Sequence, residues 1–242
     1  MNSGGFTSTE LYGTSIHENK EDTSICNRYH LENESGYGDI TIYYVFSGIE
    51  LIYNDMHMAY CNKNQKPASN VMEINYCKEG RCECLFGKNQ YCYMSAGDLS
   101  FCSLQNNAHQ SEFPTEHYHG ITITIDFSMI TEEMKKLMGL LPVNLENIRN
   151  LSQRDEFTIV RANQTIEHIF SELYTIPEKI RYGYIRVKIL EMLLVLTELD
   201  LIKEKSEHAH FSEGQIEKIK RMHAFLMEHF NEHYTIDDLS EH

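Results

Sequence analysis

Near residue 128 the spacing of apolar side chains changes from every second residue to every third or fourth. No other feature of the sequence constrains the fold as much. A period of two marks strands and a period of 3.6 marks helices, so the chain reads as all-β first and all-α afterwards. Before the switch, "DITIYYVF" puts Ile40, Ile42, Tyr44 and Phe46 on one side of a strand. The block "VMEINYCKEGRCECLFGKNQYCYMSAGDLSFCS" divides at Gly80, Gly87 and Gly97 into four short runs. Connections this short predict an antiparallel meander, because a parallel crossover needs about a dozen residues or more. "GITITIDF" adds Ile121, Ile123, Ile125 and Phe127 on one face. Such a density of short antiparallel strands predicts a sandwich or a small barrel.

After the switch the periodicity predicts helices over 129–139, 144–152, 163–176 and 180–203, followed by one in the closing segment. The 180–203 helix carries Ile185, Ile189, Met192, Leu193, Leu196 and Leu199 on one stripe, which suits either a core face or a contact with a second chain. In the closing segment, Ile216, Ile219, Leu226 and Phe230 form a further stripe. Capping boxes are legible at Ser212 with Gln215 and at Thr235 with Asp238. Residues 1–35 are polar and rich in Gly, Ser, Thr, Asn and Glu, and read as an arm without regular elements.

Charge narrows the function. The 36 acidic against 21 basic residues give a formal net charge of −15, which repels phosphate backbones and anionic membranes. The start, "MNSGGFTSTELYG", has neither a basic n-region nor an apolar h-region. Apolar runs such as Met192 to Leu196 are far short of the ~20 residues that span a bilayer. The expected setting is therefore cytoplasmic, without membrane contact and with reduced thiols. Seven cysteines are present, and Cys77, Cys82, Cys84, Cys92 and Cys102 fall in the sheet-like block. They lack the Cys-x-x-Cys knuckle of zinc sites and are expected to pack as small hydrophobes.

"HQSEFPTEHYHG" is the one stretch with metal-like spacing. His117 and His119 are two apart and so share a strand face, but no carboxylate follows until Asp126. A metal-dependent cupin enzyme, an isomerase or dioxygenase, places a Glu within a few residues of such a pair, so the pattern fails at its third ligand. No nucleophile elbow, phosphate loop or dinucleotide-binding glycine signature is present. The expectation is no catalytic residue, no metal and no cofactor. A ligand-free interaction module is a further alternative.

The run "YCYMSAGDLSFCSLQNNAHQ" resembles the cupin-type effector domain of AraC/XylS-family transcription regulators. There a strand ends in Gly-Asp and an apolar residue, here Gly97, Asp98 and Leu99, with a His about ten residues on, here His109. The Pro that usually precedes that His is absent from "LQNNAH". The segment from Ile216 to Phe230 and the following "NEHYTIDDLSEH" are similar to the first helix of the family's DNA-binding domain and the start of the next. Thr235, Ile236 and Leu239 fit that pattern, while Ser240 stands where a small Ala is common.

The resemblance implies an α+β chain: a polar arm over 1–35, then a cupin-like antiparallel β-barrel effector domain over 36–128. A helical dimerisation and linker region over 129–208 and the truncated start of an AraC-type DNA-binding domain over 209–242 would follow. It implies a small-molecule effector, a homodimer, and promoter DNA contacted only through recognition helices beyond these residues. With the strand pattern, candidates for the barrel lining are Met72, Ile74, Tyr76, Cys82, Cys84, Phe86, Tyr91, Tyr93, Phe101, Ile121 and Ile123. His109, His117 and His119 are expected at the mouth, and Ile185, Ile189, Met192, Leu193 and Leu196 on the dimerisation helix.

Overall fold

The computed structural model describes residues 16–19, 25–62, 70–86, 90–104, 110–151, 157–199, 211–231, 233–235 and 238. Among these residues twelve strands are formed: β1 (Ile16–Asn19), β2 (Cys26–Asn33), β3 (Gly36–Phe46), β4 (Ile49–His57), β5 (Tyr60–Asn62), β6 (Val71–Phe86), β7 (Gln90–Ser95), β8 (Asp98–Ser103), β9 (Gln110–Glu112), β10 (Tyr118–Asp126), β11 (Phe157–Arg161) and β12 (Phe211–Ser212). Five α-helices accompany them: α1 (Glu132–Leu140), α2 (Leu145–Leu151), α3 (Gln164–Tyr174), α4 (Arg181–Thr197) and α5 (Glu213–Glu228). Strands inside the 1–35 segment correct the expectation of an arm: β2 pairs along its whole length with β3.

β6 organises the rest. It is a single 16-residue strand, so Gly80 is a bend within it and not the hairpin turn its spacing suggested. Gly80 holds φ at +79°, a region open to glycine, and a Cβ there would run into the carbonyl oxygen of His117. The bend lets one strand serve two sheets. Its first half lies between β10 and β8, in the order β1-β2-β3-β4-β10-β6-β8-β11. Its second half lies between β9 and β7, in the order β5-β9-β6-β7-β12. The hairpins after β6 therefore return to different halves of it, and no meander forms. The pairing does not close on itself, so the expected barrel is an open, two-sheet sandwich among the described residues.

The division at residue 128 also needs correction. β11, from within the expected helical region, pairs with β8, and helices and sheet share one core. Phe101, Leu51, Ile74, Ile121, Ile123 and Ile125 of the first sheet pack under Ile148, Ile166, Ile169 and Phe170 of the helices. Phe170 stacks on Tyr76 with ring centroids 4.3 Å apart. Each such side chain contributes roughly 1.5–3 kcal/mol of transfer free energy. Helix starts follow their caps: Thr131 accepts from the Met134 amide and Asn163 from the Ile166 amide.

On α4, Ile185, Ile189, Met192, Leu193 and Leu196 are all fully or almost fully buried in this chain's own core. They are not a free dimerisation stripe. The outward face instead shows Val187 and Leu194, one heptad apart, with Ile180 a further heptad back. Helix α5 docks on the outer face of the second sheet. Its Lys220 reaches Glu112 of β9 at 2.6 Å and Glu83 of β6 at 3.4 Å. Thr235 and Asp238 exchange the reciprocal bonds of a capping box: the Thr235 amide donates to the Asp238 carboxylate, and the Asp238 amide to the Thr235 hydroxyl. Among the described residues no helix is long and apolar enough to cross a membrane.

Candidate ligand-binding interior

Alternation along the strands gives the first sheet two different faces. The odd-numbered residues of β10 and the even-numbered ones at the start of β6 lie under the helices. Their neighbours face the second sheet, where polar side chains of β10 and β6 lie beside the apolar Ile40, Ile42, Ile52 and Met56 of β3 and β4. Asn54 Nδ2 on β4 donates to Thr122 Oγ1 on β10 at 3.1 Å. Thr122 in turn donates to Asn75 Oδ1 on β6 at 2.8 Å, and Asn75 Nδ2 donates to Ser100 Oγ on β8 at 3.3 Å. The row runs unbroken across four strands. One rung along, register places Glu50, Thr124, Glu73 and Cys102 side by side. Cys102 Sγ donates to Glu73 Oε2 at 3.9 Å.

Polar side chains in an interior cost free energy unless they are bonded, and this row bonds within itself. It is not sealed. Glu50, Asn75 and Thr124 are only part-buried although they stand on β4, β6 and β10, all flanked by strands on both sides. Solvent therefore touches these three side chains, while Asn54, Glu73, Ser100 and Thr122 beside them stay buried. Burial, with a smaller contribution from Asp126, pushes the Glu50 carboxyl up from 4.5 to about 7. The row thus presents amide, hydroxyl and a carboxyl that titrates near neutrality, a set that can donate to and accept from a small polar molecule.

The wall supplied by the second sheet is rich in sulfur. Cys82, Cys92 and Met94 pack with Cys61, Cys77, Cys102, Met56, Met58, Phe113 and Tyr118 in one cluster, with Cys84 against it. None of the seven cysteines is in a disulfide. Burial holds the Cys77 thiol at about 12, and the Cys92 thiol is pushed up further by burial, with smaller contributions from neighbouring groups.

Of the residues expected to line the interior, Cys82 lies in the inter-sheet cluster and Cys84 packs against it. Met72, Ile74, Tyr76, Phe101, Ile121 and Ile123 instead form the helix-covered face, which is core. Tyr93 pairs with Glu83 in register, on the face of the second sheet where Lys220 reaches Glu83. Phe86 and Tyr91 lie on paired strands, but their side chains, like all of His109, fall outside the described residues.

His117 and His119 do not stand at the mouth of the interior. His119 meets the Tyr174 ring of α3 edge-on at 5.0 Å, and His117 lies 3.5 Å from Glu79 and against the His57 ring. His119 belongs to the helix side, where partial burial holds its imidazole below its ordinary pKa. The pair that suggested a metal-dependent cupin site thus aims away from the inter-sheet space. Among the described residues no group of three or more His, Cys, Asp or Glu is set to hold a metal ion.

The residues that were missed, Asn54, Glu50, Glu73, Asn75, Ser100, Thr122 and Thr124, carried a signal. They alternate with the apolar residues that drew attention. The assumption that the apolar face lines the ligand space reversed their roles.

No protein family matches the chain, and no curated protein does. Similar solved structures include the AraC-like transcriptional activator CuxR, 10% identical over 86% of this chain and 71% of that one, with a TM-score of 0.43. ToxT from Vibrio cholerae is 8% identical over 79% of this chain and 69% of that one, with a TM-score of 0.39. A cupin 2 conserved barrel domain protein from Salinispora arenicola is 14% identical over 48% of this chain and 84% of that one, with a TM-score of 0.31. AraC-like regulators and cupin proteins are thus among the folds this chain is similar to, and likeness at this level carries no function across.

Proposed function

We propose that these 242 residues form the ligand-sensing and self-association part of an AraC-type transcription regulator. The observation that carries the reading is the polar row Asn54–Thr122–Asn75–Ser100, bonded within itself on central strands between two sheets and part-exposed at Asn75. A sheet face meant only as core would be apolar there, as the opposite face of the same strands is. The sequence resemblance and the capping box of Thr235 and Asp238 after α5 supply the regulatory side of the proposal.

A small polar effector bound across the row would contact β4, β6, β10 and β8 together. β6 continues past Gly80 into the sheet that carries α5, so the effector site and the docked helix share one strand. An effector that favours one arrangement of that strand shifts the population of α5 positions by its differential affinity. Promoter DNA is then contacted by the helix-turn-helix elements that follow such a helix in this family. Self-association uses the outward face of α4, with Val187 and Leu194.

A thermal-shift screen of the purified chain against small polar metabolites tests this. A true effector raises the melting temperature with concentration, by about 2.7 kcal/mol of stabilisation at one hundred times its dissociation constant. Asn75→Leu and Ser100→Ala abolish that rise while the proteins stay folded. A rise that survives both substitutions places the ligand elsewhere and refutes the reading.

A further inference from the structure

Four sulfur atoms of the second sheet occupy two adjacent rungs on one face. Cys82 stands across from Met94, and Cys84 stands across from Cys92. The Sγ atoms of Cys82 and Cys84 are 3.6 Å apart, and Cys84 Sγ lies 3.4 Å from Ser111 Oγ. Cys84 is only part-buried and gives solvent access to one of the two sulfurs, while Cys82 is buried. We infer that Cys82 and Cys84 form a chelating dithiol for a soft univalent d10 ion, copper(I) or its analogue silver(I). The inference names a ligand class for the second wall of the proposed interior, and in that respect rests on the reading above.

The geometry suits the chemistry. Two sulfurs bound to one ion at ~2.3 Å stand up to about 4.6 Å apart in a linear dithiolate, so Cys82 and Cys84 reach it from 3.6 Å by small side-chain rotations. Thiolate and thioether donors favour copper(I) over hard divalent ions. No three-donor group is ready-made among the described residues, so the occupant must accept two thiolates, as soft univalent ions do. Binding replaces two S–H protons by one metal ion, M⁺ + 2 RSH → [M(SR)2]⁻ + 2 H⁺, with no change of oxidation state. Copper(I) must therefore arrive already reduced. The site gains one negative charge and releases two protons to solvent.

The test is an anaerobic titration of the whole chain with silver(I) and with copper(I) in competition with a chromophoric copper(I) chelator. Charge-transfer absorbance, proton release and native mass are read together. Expected are one ion per chain, two protons released, and a mass gain of one metal less two hydrogens. Cys82→Ser/Cys84→Ser should lower affinity by more than the ~100-fold typical of losing a merely supporting group. Cys26→Ser, which packs with the helix-side cluster, should bind as the parent does. If the double variant fails to fold by circular dichroism, Cys84→Ser alone decides, since that side chain is the more exposed. Absence of stoichiometric binding, or binding that the Cys84 change leaves untouched, overturns the inference. Neither outcome alters the metabolite response at Asn75, so the two readings fail separately.

Discussion

Glu50 offers a quantitative test of the inter-sheet face. Its carboxyl is raised from 4.5 to about 7, by burial first and by Asp126 second. At ~1.4 kcal/mol per tenfold change in proton affinity, that rise corresponds to about 3 kcal/mol. The sign follows from proton linkage. The folded state holds this proton more tightly than the unfolded chain, so the contribution of Glu50 is greatest below pH 4.5 and is lost as pH rises from 4.5 to about 7. Glu50→Gln copies the protonated shape without the charge. It should match the parent protein at pH 4 and exceed it by about 2–3 kcal/mol at pH 8. Asp126→Asn should give a smaller gain at pH 8, because burial outweighs that charge. Urea unfolding at pH 4, 6 and 8 measures the difference, followed by circular dichroism since the chain has no Trp. A gap that does not change with pH, or a parent that is the more stable at pH 8, refutes the placement of Glu50 on a desolvated interior face.

Other outcomes follow from the same structure. Gly80→Ala forces a Cβ against the His117 carbonyl at positive φ and should cost about 2–4 kcal/mol, read as a lower urea midpoint; no loss would mean that β6 does not bend there. Ile189→Ala should cost about 2–5 kcal/mol, whereas Val187→Glu with Leu194→Glu should leave stability nearly unchanged and abolish the proposed self-association in analytical ultracentrifugation. Lys220→Ala should change global stability by less than ~1 kcal/mol, since the lysine is half exposed, yet speed hydrogen exchange across α5. Unchanged exchange would remove Lys220 as the tie between that helix and the second sheet.

Much of the fold was legible in the chain itself, because strand and helix periods are local. The switch near residue 128, the strand over "DITIYYVF", and the helices at Glu132–Leu140, Gln164–Tyr174 and Arg181–Thr197 all follow from side-chain spacing and caps. So does the closing box of Thr235 and Asp238. What spacing could not tell was which way each face looks. Ile121, Ile123 and Ile125 announce a buried face, but whether a helix or a second sheet covers it depends on contacts far apart in sequence. Four helices require the larger apolar area, so they took the isoleucine face, and Asn75, Thr122 and Ser100 were left to the space between the sheets. Gly80 shows the same limit: a glycine allows a reversal or a bend equally, and only the close approach of His117 selected the bend. Local spacing thus determined the elements, and long-range packing decided which of their two faces became core and which became a site.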